Sequence, residues 1–272
     1  MHGVMKALGY EEYGEPLIPP SSHEDYTHIY ILTKNTAIQG GDWGSTISRV
    51  MARLYPQHTK AIHLNFCPVA PPLPWKNPLS FVQSLLTTPF SAKERSYLST
   101  TYQYFTEGSA YMRQQQTRPQ TLGYALHDSP VALLAWIYEK QHEWTDDYPW
   151  TDEEILTWIS IYQFSRAGPA ASLRIYHEAF RKPGPEDVTM SELAVDRLPA
   201  SVRFAVVHFK RELLKMPWSW YRAHASVVRE REYEKGGHFA AWEVPELLAG
   251  DVREFLGKQG EAYGAVTGKV GY

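Results

Sequence analysis

Ile38-Gln39-Gly40-Gly41-Asp42-Trp43-Gly44-Ser45 has the small-x-nucleophile-x-small form of a strand-to-helix elbow, with Asp where an esterase carries Ser. In the G-x-S-x-G elbow the nucleophile sits on a strained, tight turn, so the residues flanking it must be small. Gly40 and Gly44 flank Asp42 at that spacing. A carboxylate placed there cannot form an acyl-enzyme. It can attack an electrophilic carbon and make an ester that water then hydrolyses.

Outward from the elbow, residues 45–55 place Ile47, Val50, Met51 and Leu54 at helical spacing and stop at Pro56. Residues 60–66 read as a buried strand with a proline-rich exit over 68–78. On the other side, 28–33 read as a short strand and 4–10 as the end of a helix stopped near Gly9. Residues 80–180 are almost all helical pattern. Asp128-Ser129-Pro130 and Thr151-Asp152-Glu153-Glu154 mark helix starts there. Strand character returns at 202–209 and 227–233, and 245–256 reads as an amphipathic helix. Strand–helix units interrupted by a block of helices predict the α/β class, with a helical lid inserted between core strands.

The chain of 272 residues is long enough for a substantial core, and its apolar (43%) and charged (21%) fractions are those of a globular protein. A net charge of −3 without long charged runs gives no reason to expect nucleic acid or anionic membrane as a partner. The single cysteine, Cys67, cannot close an internal disulfide, which makes a reducing, cytoplasmic setting the expectation. No apolar run in the sequence reaches the length that spans a bilayer. The 18 tyrosines and 9 tryptophans suit a pocket for apolar ligands, although aromatic core explains most of them equally well.

An Asp nucleophile needs a base to activate water for the second step. His238, in Lys235-Gly236-Gly237-His238-Phe239-Ala240-Ala241, lies in a glycine-permitted turn between the last strand and the last helix. The triad His comes last in chain order in hydrolases of this architecture. Glu212, following the strand over 202–209, is the candidate that orients the imidazole. Spacing alone leaves a solvated Glu212 paired with Lys210 or Lys215 equally open. Glu192 and Asp196, ahead of that strand, are weaker acids for the role.

Three motifs in order, Gly40-Gly41-Asp42-Trp43-Gly44-Ser45, Tyr124-Ala125-Leu126-His127-Asp128-Ser129-Pro130-Val131 and Gly236-Gly237-His238-Phe239-Ala240-Ala241-Trp242-Glu243, closely resemble the epoxide hydrolases of the microsomal type, fungal members included. The likeness runs from Gly40 to about Leu256. It implies an α/β-hydrolase core (40–74 and 200–260), a helical lid (75–199), no cofactor and no metal. It also places Glu212 in the family's Phe-x-x-Glu-Leu context and implies two lid tyrosines, Tyr111 and Tyr176, that hold and protonate an epoxide oxygen. The implied partners are a small apolar epoxide and water, and the implied role is epoxide detoxification. By the resemblance, Asp42 attacks an oxirane carbon, Glu212-oriented His238 activates water, and the Trp43 backbone N–H stabilises the oxyanion.

Two departures accompany the likeness. The family's His-Gly-x-Pro loop, a second oxyanion donor, has no counterpart, since His2-Gly3-Val4-Met5 lacks the Pro and any preceding strand. The expectation is a core that begins partway, with early strands missing and activity impaired. Residues 14–37 interrupt the family pattern and suit neither a core strand nor a lid element. They read as a translated intron or wrongly joined gene segment within a truncated 1–39 region. Two alternatives stay open: a non-catalytic remnant of the family, and a haloalkane dehalogenase whose Trp43 indole binds halide.

Overall fold

The computed structural model describes residues 36–181, 184 and 187–266. The helix expected over 4–10, the strand expected over 28–33 and most of the 14–37 segment lie outside the described residues. At its end, the expectation that this segment contributes nothing to the core sheet fails. Thr36 and Ala37 begin β1 (Thr36–Gly40), whose backbone pairs with the neighbouring strand.

β1 runs through the elbow into α1 (Asp42–Leu54). With β2 (Thr59–Leu64), β3 (Arg203–His208) and β4 (Ser226–Glu232) it forms, among the described residues, a four-stranded parallel sheet in the order β1-β2-β3-β4. Gly40 registers with Leu64, and Leu64 with Val206, so the carboxyl ends of β1 and β2 are level and β3 runs two residues past them. That end of a parallel sheet is where α/β proteins build their sites.

β2 and β3 are buried almost throughout because a central parallel strand is covered on both faces. Alternate residues separate into two cores. Ile62, Leu64, Phe204 and Val206 pack with Ala52 of α1 and with Tyr221 of α10 (Trp218–His224). Ala61 and Ala205 pack on the other side against Phe255 of α12 (Pro245–Leu256), which follows the short α11 (Ala240–Glu243). Small residues there let α12 approach the sheet closely. Its Asp251, fully buried, stands 2.9 Å from His63 Nε2 and accepts from Arg229 Nε at 2.9 Å. A buried carboxylate is tolerated only with such partners.

Between β2 and β3 the chain builds a block of helices: α2 (Pro78–Thr87), α3 (Ala92–Gln103), a π-turn (Tyr104–Gly108), α4 (Ala110–Thr117), α5 (Pro119–Asp128), α6 (Pro130–Glu143), α7 (Asp152–Phe164), α8 (Ala171–Phe180) and α9 (Met190–Val195). Local chemistry sets their starts. Ser129 Oγ accepts from the Ala132 N–H at 3.2 Å while Pro130 opens α6, and Asp128 closes α5 instead of sharing the cap. Thr151 and Glu154 form a reciprocal capping box at α7. Leu126, Leu133, Ile159 and Leu173 give the block its own core.

At the elbow only one of the two flanking glycines is compelled by space. A Cβ on Gly40 would stand 2.5 Å from the Gly44 carbonyl oxygen, whereas a Cβ on Gly44 meets nothing within 4 Å. What must be small is Gly40, because the backbone at Gly44 passes directly over it. Gly40→Ala is therefore expected to destabilise the fold by about 1–3 kcal/mol, as overpacking does. Gly44→Ala, in the first turn of a helix, is expected to stabilise it by about 0.4–1 kcal/mol. Urea unfolding of both variants checks the contrast.

Candidate active site

Asp42 heads α1 with φ 43°, in the left-handed region that a non-glycine residue enters only under constraint. Gly41 before it is extended at φ −119°, and a Cβ there would stand 2.8 Å from the Asn65 side chain. The Ser45 hydroxyl donates to the Asp42 carbonyl at 2.8 Å. The turn lifts the Asp42 carboxylate above the sheet, 37% exposed, at a helix N-terminus whose dipole favours negative charge. Trp43 follows in the first turn, where backbone N–H groups have no partner inside the helix.

His238 Nε2 lies 3.6 Å from Asp42 Oδ1, and His238 Nδ1 lies 2.6 Å from Glu212 Oε1. Glu212 is fully buried at the exit of β3, with Oε1 also accepting the Leu213 N–H at 2.8 Å. The solvated pairing of Glu212 with Lys210 or Lys215 is not adopted: Lys210 pairs with Asp146, and the Lys215 ammonium donates to the Lys210 carbonyl. Glu192 and Asp196 stand elsewhere, against Arg53. Burial pushes the imidazole of His238 down, but the Glu212 charge and the bond to Asp42 outweigh it and raise it to about 10. Burial raises the Glu212 carboxyl, with His238 opposing.

The helical block supplies a ceiling of phenols and indoles. The Tyr111 and Tyr176 rings stand edge to face at 5.8 Å, and Tyr176 does the same with Trp43 at 5.0 Å. Trp144 bridges the halves, 5.3 Å from Tyr111 and 5.4 Å from His238, and Phe66 flanks the imidazole at 5.0 Å. Burial, then neighbouring tyrosines, hold Tyr111 well above the ordinary phenol range. Burial and the Asp42 charge push Tyr176 up to about 12. Both are thus neutral hydrogen-bond donors at ordinary pH.

Several participants escape a reading of the sequence. Asn65, immediately after β2, accepts from Gln39 Nε2 at 2.8 Å and donates to the His238 carbonyl at 3.4 Å, joining the elbow to the His238 loop. A polar residue directly after a buried strand is the one signal for it. Glu243, inside the last quoted motif, accepts the Gly237 N–H at 2.7 Å and the Asp146 N–H at 2.6 Å. The Trp144 carbonyl accepts the His238 N–H at 2.8 Å. This strap leaves no room at Gly237, where a Cβ would stand 2.2 Å from the Trp144 oxygen. Tyr104, seven residues before Tyr111, brings its hydroxyl to 2.8 Å from that of Tyr111. Exposed His127 sits in the last turn of α5. Among the described residues no group of three or more His, Cys, Asp or Glu is placed to hold a metal ion. No helix among them is long and apolar enough to cross a membrane.

No family model matches the chain. It is 35% identical over 241 residues to epoxide hydrolase 1 of Sus scrofa, covering 81% of this chain and 50% of that protein. The Aspergillus niger epoxide hydrolase structure superposes with a TM-score of 0.64 at 32% identity, over 80% of this chain and 51% of that one. The chain is a homologue of the epoxide hydrolases. The Bombyx mori juvenile hormone epoxide hydrolase structure agrees, with a TM-score of 0.66 and 30% identity over 80% of this chain and 53% of that one. The fold is thus that of the α/β-hydrolases, as the sequence leads one to expect. This epoxide hydrolase homologue spans about half the length of the relatives it matches.

The charge arrangement makes one outcome specific. Replacing Glu212 by Gln removes the charge that most raises His238, so its ionisation is expected to fall by about 1–3 pH units. Titration of the histidine ring resonances measures it.

Proposed function

We propose that this chain converts small apolar epoxides to vicinal diols through a covalent ester on Asp42. The single observation carrying the reading is the alignment of Asp42, His238 and Glu212, at 3.6 and 2.6 Å, beneath two phenols held neutral. Residues 40–74 and 200–260 act as the catalytic core, and 75–199 as a lid whose tyrosines face the nucleophile. The aromatic walls from Trp43, Phe66 and Trp144 favour apolar substituents on the epoxide.

In the first half-reaction a carboxylate oxygen of Asp42 attacks one ring carbon and the C–O bond breaks. Tyr111 and Tyr176 donate hydrogen bonds to the departing oxygen, and one phenol proton completes the hydroxyl. Buried phenols serve this step well, because a hydrogen bond that strengthens as charge develops lowers the barrier in a water-poor site. In the second, His238 takes a proton from water and the resulting hydroxide attacks the ester carbonyl. Glu212 holds the imidazole tautomer and balances its positive charge. The Trp43 N–H, at the positive end of α1, meets the tetrahedral oxyanion. Collapse expels the alkoxide, which takes the hydroxyl proton of the intermediate to give the diol and leaves the Asp42 carboxylate, while the proton on His238 returns to the phenolate left by ring opening.

The pH dependence follows from what each half requires. Ester formation consumes the Asp42 charge, one of the influences that hold the His238 proton, so the imidazole becomes a base when one is needed. Ester hydrolysis uses neutral imidazole. It is therefore expected to slow as pH falls below the His238 ionisation of the ester form, which lies below the value of about 10 in the free site. Alkylation is expected not to follow that ionisation. Rapid-mixing measurements of the two phases across pH show whether they separate.

Turnover of styrene oxide by the chain is the direct test. Asp42→Ala should reduce diol formation by about 10⁴-fold or more, the scale on which removing a covalent nucleophile acts. Repeated turnover in heavy-oxygen water should place label in the Asp42 carboxylate. Diol formation with an unlabelled carboxylate, or halide release from a haloalkane in place of diol, would refute the assignment.

A further inference from the structure

Three observations converge on Tyr104. Its hydroxyl stands 2.8 Å from that of Tyr111. It opens a π-turn, a rare irregularity that concentrates at functional sites because the extra residue redirects a side chain. Gly108, closing that turn, makes room for its ring: a Cβ there would stand 3.3 Å from Tyr104 Cδ2. Neighbouring Tyr102 and Phe105 are exposed, whereas Tyr104 is half-buried against the core. The charges of Asp42 and Glu212 both reach its phenol, which burial, above all, raises. Tyr104 thus belongs to the site electrostatically as well as by contact.

We propose that Tyr104 is a positioning residue for epoxide opening, its hydroxyl donating to the Tyr111 oxygen so that the Tyr111 proton points at the epoxide oxygen. The inference rests on the epoxide-opening reading given above. A phenol has one proton. If Tyr111 spends it on Tyr104, it has none for the substrate, so Tyr104 must be the donor of the pair whenever Tyr111 acts. The same bond stabilises negative charge as it builds on the Tyr111 oxygen during proton donation. A bond between two hydroxyls polarises both, and Tyr104 and Tyr111 form such a pair. His238 and Glu212 lie outside it, so the effect falls on the first half-reaction alone.

The test compares Tyr104→Phe with wild type and with Tyr102→Phe, a control on the exposed side of α3. In single turnovers of styrene oxide, Tyr104→Phe is expected to slow ester formation about 2- to 10-fold, the scale of one net hydrogen bond. Ester hydrolysis should stay unchanged, and so should both phases in Tyr102→Phe. A merely structural role for Tyr104 would slow both phases together, and that result, or no change in ester formation, would overturn the proposal. A second arm needs no turnover. The carbonyl of phenylacetamide accepts the same phenol protons, and its binding is read by tryptophan fluorescence. Tyr104→Phe should weaken that binding by a similar factor, and equal affinity would overturn the proposal. Should wild type fail to consume the epoxide, the hydrolase reading falls while the amide arm still decides the role of Tyr104.

Discussion

The site depends on one close approach. The Gly44 carbonyl passes over Gly40 at a distance that admits no side-chain carbon, and this lets the chain turn from β1 into α1 within a few residues. The turn forces Asp42 into the left-handed region, a strain of order 1–3 kcal/mol for such residues. That strain persists because the neighbours of the turn fix it from both sides, Asn65 against Gly41 and Ser45 on the Asp42 carbonyl. A relaxed Asp42 would carry its carboxylate away from His238. The Asp42 carboxylate is thus positioned by backbone geometry, whereas His238 and the phenols are positioned by side-chain contacts.

Around that fixed point the site is assembled from two regions distant in sequence. The sheet brings Asp42, Asn65, Glu212 and His238 to one edge through parallel pairing, and the helical block brings Tyr104, Tyr111, Trp144 and Tyr176. Hydrogen bonds close the seam. Glu243 ties Gly237 to Asp146, and Trp144 ties its carbonyl to His238. Charge is distributed with the same division. Two carboxylates face one imidazole on the sheet side, while the other side presents neutral phenols. The pairing suits a reaction that moves negative charge from a carboxylate to an alkoxide and back.

Much of this was legible from residue order alone, for identifiable physical reasons. The elbow is readable because its geometry demands a glycine before the turn, and β2 and β3 because central parallel strands are buried on both faces and carry an apolar bias. Ser129 and Thr151 are readable because caps act locally, although the boundary at Asp128 shows that a polar neighbour does not by itself share the cap. Glu212 was ambiguous between buried and solvated states, since burial is a tertiary property no spacing encodes; only its contact with His238 decides it. Asn65, Glu243 and Tyr104 act through partners between 6 and 173 residues away, so no local pattern marks them. Thr36 and Ala37 went unrecognised as strand because two residues at the end of an irregular stretch carry too little pattern. Gly44 was overread: its spacing copies the elbow motif, but the steric demand falls on Gly40.

The bonds from Trp144, Asp146 and Glu243 act as a hinge pin between the two halves of the molecule. Because they anchor the α6–α7 corner to the loop bearing His238, the helices cannot swing wide at that corner without dragging the imidazole off Glu212. The opposite flank is tied as well: Tyr97 of α3 donates to Glu232 of β4 at 2.7 Å, and Thr101 donates to the Lys215 carbonyl at 3.0 Å. Swinging either flank of the helical block away from the sheet therefore breaks bonds that help hold the site closed.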